Sequence, residues 1–488
     1  MTTQQQRAPT MGAKAFRGGQ ILAAGTVVDR LARLGRNMLL ARLIVPDDFA
    51  LMALTLAVIA LFGAITEVGV AQAVIQNERG DTREFLNVAW WFGVIRGAIV
   101  ALMAALLAGP IARFYGNPEL ESLLLVAPLI VMFQGLASPR VYALQRQFRF
   151  AATLWTTQGA GLLGTMVTIT LGILWQNVWA LVLGAVFEAF ARFVLSFLLC
   201  PVRPTLPWDR RSTKELWAFS KGMAGLPVLA LLILQADTFV LGRVVSAERL
   251  GYYVLAIGLA GFPLTLFSKV IQPLIVPILA NFQHDPAGLR GQLLQLSRLV
   301  WLFGLPLTAV MGIVAGPLLT LFYGPAFAAA SAAFALYSLF TIIYMASMMS
   351  FSVYLAIARP ALQRRFTIVR AVLVIAGLYP LSVWLGIAGA ALTMLLAMVV
   401  AMVVQLFNLR RVIGLRILSY LATLRAGLVV AALVALPCLG IVTFAGLPGW
   451  AEALASAAVG ALAWGLLLLR ERRAMRALRA AGPDSASG

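Results

Sequence analysis

The chain has 488 residues, of which 61% are hydrophobic and 11% charged, far from the roughly 25% charged content of soluble domains. That balance excludes a soluble globular protein and predicts a polytopic membrane protein. The formal charge of +20 is the signature of loop cations facing an anionic leaflet and calls for no nucleic-acid partner.

Residues 1–19 are polar and run into the first span without an apolar core and cleavage site, so they read as a cytoplasmic segment and not as a cleaved signal peptide. Apolar runs of about 20 residues, enough to cross ~30 Å of hydrocarbon, then recur fourteen times. They lie near 20–44, 49–76, 85–109, 120–141, 152–174, 178–200, 216–242, 250–280, 293–321, 327–357, 366–386, 388–408, 425–446 and 450–469. The expected organisation is an N-lobe of six spans (20–200), a cytoplasmic linker (201–215), a C-lobe of six spans (216–410), two appended spans (425–469) and a basic cytoplasmic tail (470–488) that ends disordered. Cys200 and Cys438 fall in apolar spans and serve there as small hydrophobes.

The two lobes echo one another. Ala108-Gly109-Pro110 leads to Phe114-Tyr115-Gly116, and Ala315-Gly316-Pro317 leads to Phe322-Tyr323-Gly324; LLARLIVPDDFALM from Leu39 parallels VLGRVVSAERLGYY from Val240, and ALQRQF from Ala143 returns as ALQRRF from Ala361. Each copy holds an even number of spans, so both enter the bilayer in the same sense, related by an axis along the membrane normal. The predicted fold is therefore all-α and polytopic: 14 transmembrane helices, with two pseudo-symmetric six-helix lobes around a central cavity plus two extra C-terminal helices.

With the N-terminus inside, 24 of the 38 lysines and arginines fall on cytoplasmic segments, among them Arg7, Arg79, Arg149 and the arginines of the tail. Only Arg42, Arg113, Arg243 and Arg249 fall on the opposite loops. This bias places both termini in the cytoplasm.

Ten cations lie within or at the ends of spans (Arg30, Arg33, Arg36, Arg96, Arg192, Lys221, Lys269, Arg298, Arg370 and Arg425) against four acids: Asp29, Glu67, Glu188 and Asp237. Charges in hydrocarbon face water, face each other or escape to an interface. Arg298, Arg370 and Arg425, near cytoplasmic helix ends, are expected to snorkel. Glu188 and Arg192, four apart on one helix, are expected to neutralise each other. In the first span Asp29, Arg30, Arg33, Arg36 and Asn37 share a sector of about 120°. One acid cannot neutralise three guanidiniums, so the stripe lines a hydrated cavity or pairs across helices with Asp237 or Glu67. A shift of 201 residues carries Arg36 onto Asp237 and brings Glu67 within one residue of Lys269. Arg36 with Asp237, and Glu67 with Lys269, are thus candidate cross-lobe contacts, either switching between access states or fixing the packing of the lobes. Gly25 and Gly35 in the first span, Gly63 and Gly69 in the second, Pro227 in the seventh, and Gly258, Gly261, Pro263, Pro273 and Pro277 in the eighth are placed to let helices bend, a pattern common in membrane helices.

Enzyme chemistry finds little support. The one histidine, His284, stands in a loop, and there is no Walker A sequence, Cys/His metal cluster or Gly-x-Ser-x-Gly elbow. The chain reads as a transporter without metal or cofactor, driven by an ion gradient, the membrane potential or the gradient of its substrate.

The stripe of the first span, then LLARLIVPDDFALM, EVGVAQAVIQ, IARFYGNPEL, LQRQFRF and QADTFVLGRVVSAERLGYY in order, resembles the Wzx-type lipid-linked oligosaccharide flippases of the multidrug/oligosaccharidyl-lipid/polysaccharide exporter superfamily. The resemblance covers residues 15 to 410. It implies movement of an undecaprenyl-pyrophosphate-linked repeat unit from the cytoplasmic to the periplasmic leaflet of the bacterial inner membrane, for O-antigen or exopolysaccharide assembly. Implied partners are that lipid-linked substrate, membrane lipids, and a polysaccharide polymerase with its export machinery. Arg30 is similar to the essential first-span arginine of the lipid II flippases of the same superfamily, and Lys269 is a looser match. Together with the charged stripe and the repeat, this makes Arg30, Arg33, Arg36, Arg96 and Lys269 the expected pyrophosphate and cavity residues, with Asp29, Asp237 and Glu67 in gating or coupling. The alternative is an ion-coupled multidrug exporter of the same fold, which the positive stripe disfavours because cationic drugs require unpaired acids.

Overall fold

The computed structural model describes residues 11–147, 150–205, 209–223, 226–444 and 447–480. Arg7, Arg149 and the polar residues 481–488 lie outside the described residues. Every regular element described is helical. Among the described residues thirteen helices are long and apolar enough to cross a membrane, and they fall on the second to the fourteenth expected spans. The first expected span is a continuous 30-residue helix, Met11–Leu40, whose charges at 29, 30, 33 and 36 deny it an apolar window. Large apolar side chains lie outermost, with Trp384 78% and Ile375 75% exposed, as in a surface solvated by lipid.

The chain groups into two compact units, Met1–Leu255 and Ala256–Gly488. Residues 216–255, expected at the head of the C-lobe, pack with the first. In chain order the first unit holds α1 (Met11–Leu40), α2 (Pro46–Ile65), α3 (Val70–Gln76), α4 (Arg83–Tyr115), α5 (Glu119–Val126), α6 (Leu129–Leu136), α7 (Arg140–Arg146) and α8 (Phe150–Leu154). There follow α9 (Ala160–Trp175), α10 (Val178–Leu199), α11 (Arg210–Met223), α12 (Leu226–Val244) and α13 (Ala247–Ala260), which starts in this unit. Helix α12 lies along α2, where Gly242 leaves room for Leu54 and Tyr115.

Close packing without a hydrophobic drive between helices depends on small residues. Gly161, Gly164 and Gly172 give α9 a side-chain-free face. A Cβ at 164 would meet the Cβ of Glu188 at 2.5 Å, and one at 172 would overlap Leu40. Helix α9 therefore touches both α1 and α10. The second span is broken: α2 ends at Ile65, Gly69 takes a left-handed φ of 64°, and α3 resumes at Val70. The FYG echoes also end helices, with Gly116 at φ 70° after α4 and Gly324 at φ 117° in the second unit.

The second unit packs Pro286–Ile313, Ser331–Ala356, Gln363–Leu385 and Ile387–Ile413 around a buried core that includes Trp301, Met349, Tyr354, Phe366, Leu406 and Tyr420. The appended helix Leu424–Phe444 lies along Pro286–Ile313, with Gly427 against the Trp301 carbonyl. Arg370 does not snorkel. Only 8% exposed, it lies over the rings of Tyr344 and Phe340, 5.0 and 5.9 Å from their centroids. The faces of Phe340 and Tyr344, about one turn apart on Ser331–Ala356, provide a local attraction that an extended route to the interface does not.

The amphipathic helix α11 is held to the loop between α3 and α4 by charge. Arg79 reaches Asp209 at 3.6 Å and Glu215 at 3.4 Å, and Arg211 Nε donates to Glu215 at 3.0 Å. The Ser212 hydroxyl and amide, with Arg79 beyond them, hold the Asp209 carboxyl below its ordinary range. The Asn77 amide, then Arg211 and Arg79, do the same for Glu215. Carboxyls lowered by folding contribute stability that is complete above their unfolded values, about 4, and is lost as pH falls through the lower folded ones. Amide protection of residues 210–216, measured by hydrogen exchange and corrected for intrinsic rate, is therefore expected to hold from neutral pH down to about 4 and to fall below it. Arg79→Gln should move that fall to higher pH; an unchanged profile would show that Arg79 does not hold the helix.

Candidate functional site

The charged stripe of α1 lies on one face, as the helical period requires: Val28, Leu31 and Leu39 are exposed, while Asp29, Arg30, Arg33, Arg36 and Asn37 are half-buried. Arg33 is the centre of an ion network across α1 and α10. Its Nη1 and Nη2 donate to the two oxygens of Glu188 at 3.0 and 2.8 Å, and its Nε donates to Asp29 at 3.0 to 3.1 Å. Arg192 reaches the same Glu188 at 3.7 Å. The local pair of Glu188 with Arg192 thus exists, but it is the weaker half of a bridge whose fork-on-carboxylate half belongs to Arg33. Gly161 makes this possible, because a Cβ there would overlap an oxygen of Asp29 and lie 2.8 Å from Nη2 of Arg33.

The flanking arginines differ. Among the described residues Arg36 donates, from Nε and Nη2, only to the side-chain oxygen of its neighbour Asn37, at 3.2 and 3.1 Å. Arg30 makes no hydrogen bond or ion pair among the described residues. Around the stripe stand the guanidiniums of Arg30, Arg33, Arg36 and Arg192 and the carboxylates of Asp29 and Glu188, a surplus of two positive charges.

Arg36 is not paired with Asp237. Asp237 is 1% exposed and accepts from the Tyr253 hydroxyl at 2.7 Å and from the Thr238 amide at 2.8 Å. Tyr253, sixteen residues along on α13, and the backbone at the carboxylate's own position satisfy it at close range. Glu67, expected opposite Lys269, is held by Arg96 at 2.7 Å. This pair sits at the break in the second span. Arg96 Nη2 donates to the Gly63 carbonyl at 2.9 Å, and the other Glu67 oxygen accepts from the Gly69 amide at 2.9 Å. A cation on the last carbonyls of α2 and a carboxylate on the first amides of α3 match the dipoles of both half-helices. A polar cavity of about 220 Å³ opens beside the pair, lined by Gln72, Gln134 and Tyr142 among others. Lys269 is exposed on a π-turn, Phe267–Ile271, of the second unit. Among the described residues no group of three His, Cys, Asp or Glu could hold a metal.

Sequence reasoning missed Glu188 as the partner of Arg33. Its signal was present in the glycines at 161 and 164: glycine three apart on a span marks a face against which other helices close, and those faces carry Asp29 and Glu188.

The family model described as "Polysaccharide biosynthesis protein" matches residues 39–332. The chain is 27% identical over 257 residues to the amylovoran biosynthesis protein AmsL of Erwinia amylovora, covering 52% of this chain and 66% of that protein. It is 24% identical over 313 residues to the lipopolysaccharide biosynthesis protein WzxC of Escherichia coli (strain K12), covering 64% and 63%. The matches thus span just under two thirds of these relatives' own lengths. In fold the chain is similar to the lipid II flippase MurJ in its inward closed conformation, with a TM-score of 0.76 at 14% identity over 93% of this chain and 99% of that one.

The role of Gly161 is testable against a glycine with open space around it. Among the described residues nothing beyond the backbone of its own helix lies within 4 Å of a Cβ built at Gly35, so Gly35→Ala should leave stability unchanged or raise it by up to about 1 kcal/mol through helix propensity. Gly161→Ala should instead cost about 1 to 3 kcal/mol by overpacking against the ion pair. The midpoints of thermal unfolding in detergent decide the matter, and equal midpoints for the two variants would exclude a close α1–α9 contact at the pair.

Proposed function

This chain belongs to the polysaccharide biosynthesis protein family, and we propose that it is a flippase for an undecaprenyl-pyrophosphate-linked oligosaccharide repeat unit. The repeat unit passes from the cytoplasmic to the periplasmic leaflet of the bacterial inner membrane, both termini of the protein being cytoplasmic, and enters O-antigen or exopolysaccharide assembly. The single observation that carries this reading is the division of labour within the stripe. The charge of Arg33 is spent on Glu188 and Asp29, whereas among the described residues Arg30 has no ion pair or hydrogen bond and Arg36 meets an amide oxygen alone.

Arg30 and Arg36 stand six residues apart, a rise of about 9 Å, and the surplus of two positive charges around them equals the charge of a diphosphate diester. Guanidinium forks suit phosphate oxygens, and a low-dielectric, partly hydrated wall strengthens the contact. A cationic drug would find no such attraction here: of Asp29, Glu67, Glu188 and Asp237, only Asp237 has no ion pair among the described residues, and it is enclosed by Tyr253 and Thr238. Arg96 and Glu67, at a break where two half-helices meet, are suited to a gating role, since a discontinuous span bends at little cost.

The decisive measurement is glycan export per folded molecule. Arg30→Ala removes an unpaired cation and should leave abundance near normal while abolishing export; Arg30→Lys should be intermediate, because it keeps the charge and loses the fork. Arg33→Ala should behave differently. It strands Asp29 and leaves Glu188 only its longer contact to Arg192, at a cost of about 3 kcal/mol, and should appear first as lost protein. Export per molecule unchanged in Arg30→Ala would overturn the cationic-site mechanism.

A further inference from the structure

A second charged feature of the first unit is not used by the stripe. Beside the broken second span, α2, α4 and α11 enclose a groove of about 450 Å³, a size that accommodates a small amphiphile. Its walls are hydrocarbon and open: Ile65, Ile95, Ile99 and Trp217 line it, and each is between 41% and 53% exposed. Its charges are Glu67, Arg96 and Lys221. Glu67 and Arg96 neutralise one another. Lys221 has no hydrogen bond or ion pair among the described residues; its ammonium stands 5.7 Å from the centroid of the Trp217 ring. Arg96 adds a buried Nε without a hydrogen-bond partner.

A groove with apolar walls and one surplus cation fits a ligand that is hydrocarbon over most of its length and carries a single negative charge at its head. We propose that it binds an anionic glycerophospholipid, with the phosphodiester at Lys221 and one acyl chain along Ile65, Ile95 and Ile99. The surplus of one favours a monoanionic phosphodiester over a diphosphate, which distinguishes this site from the stripe of α1. The lipid would lie against two parts that the protein already ties together, since the Ser220 hydroxyl of α11 donates to the Val68 carbonyl inside the break at 2.7 Å. A bound lipid thereby braces α11 against the bend in the second span. The inference requires only that the chain sits in a bilayer and is independent of which saccharide is moved.

The test uses the full chain in neutral detergent, with retained lipid counted by native mass spectrometry after incubation with equimolar phosphatidylglycerol and phosphatidylcholine. Phosphatidylglycerol should be retained in preference, and Lys221→Gln should lower its retention about five-fold while leaving phosphatidylcholine unchanged. Ile95→Trp fills the groove and should lower retention of both lipids with an unaltered elution profile; if that variant aggregates, Lys221→Gln alone decides. Inorganic phosphate at the same concentration should displace nothing. Three results would overturn the proposal: full retention by Lys221→Gln, displacement by inorganic phosphate, or preferential displacement by a polyprenyl diphosphate, which would assign the groove to a diphosphate lipid instead.

Discussion

The bridge from Arg33 to Glu188 and Asp29 is the contact on which the first unit depends. Three ionised groups at membrane depth are costly unless they meet one another, and they meet only because α9 presents glycine at 161 and 164 where α1 and α10 close upon it. The geometry then propagates along α1. Residues three before and three after Arg33 lie about 60° to either side of it on the helix, and neither Arg30 nor Arg36 forms an ion pair among the described residues. Two carboxylates spent on one arginine leave two arginines unspent. Charge neutralisation and charge presentation thus come from the same helix face.

The break between Ile65 and Val70 follows a different rule. Backbone carbonyls and amides freed at membrane depth must be satisfied inside the protein, and here the satisfying groups are themselves an ion pair. Arg96 takes a carbonyl at the end of α2 and Glu67 takes the Gly69 amide at the start of α3, while each neutralises the other. Removing either leaves a stranded charge and an unsatisfied backbone group together. That coupling explains why Glu67 pairs with Arg96: the bend creates a local need, and α4, which packs on α2, supplies the cation that meets it.

Span positions were legible because hydrocarbon length imposes a period on the whole chain, and the face occupied by the α1 stripe was legible because helical geometry imposes one on each span. Partnerships were less so. Asp237 occupies the position that internal repetition assigns opposite Arg36, yet Tyr253 and the Thr238 amide capture it. Repetition constrains backbone placement and says nothing of a tyrosine one helix along. Glu188 read as the partner of Arg192 because four-residue spacing is visible in sequence, whereas the stronger bond from Arg33 crosses 155 positions and depends on glycines whose effect is the absence of a side chain. The FYG echoes show what repetition can carry: Gly116 and Gly324 both take positive φ where a helix must stop.

The second unit keeps a guanidinium in its interior by other means. Arg370 has no carboxylate in any ion pair among the described residues; it lies over Tyr344 and Phe340, with Met398 sulfur 4.0 Å from Nη1 and with Nε unbonded. Aromatic faces attract a desolvated cation by about 2 kcal/mol but do not neutralise it, so the charge of Arg370 remains in force while that of Arg33 is cancelled. A carboxylate bridge fixes an arginine by consuming its charge, whereas an aromatic shelf fixes it and leaves the charge available to an anion. Burial alone therefore does not rank these arginines by function. What distinguishes them is whether the group that holds each one carries a compensating charge, and by that criterion Arg33 holds helices together while Arg30, Arg36 and Arg370 retain their positive charge.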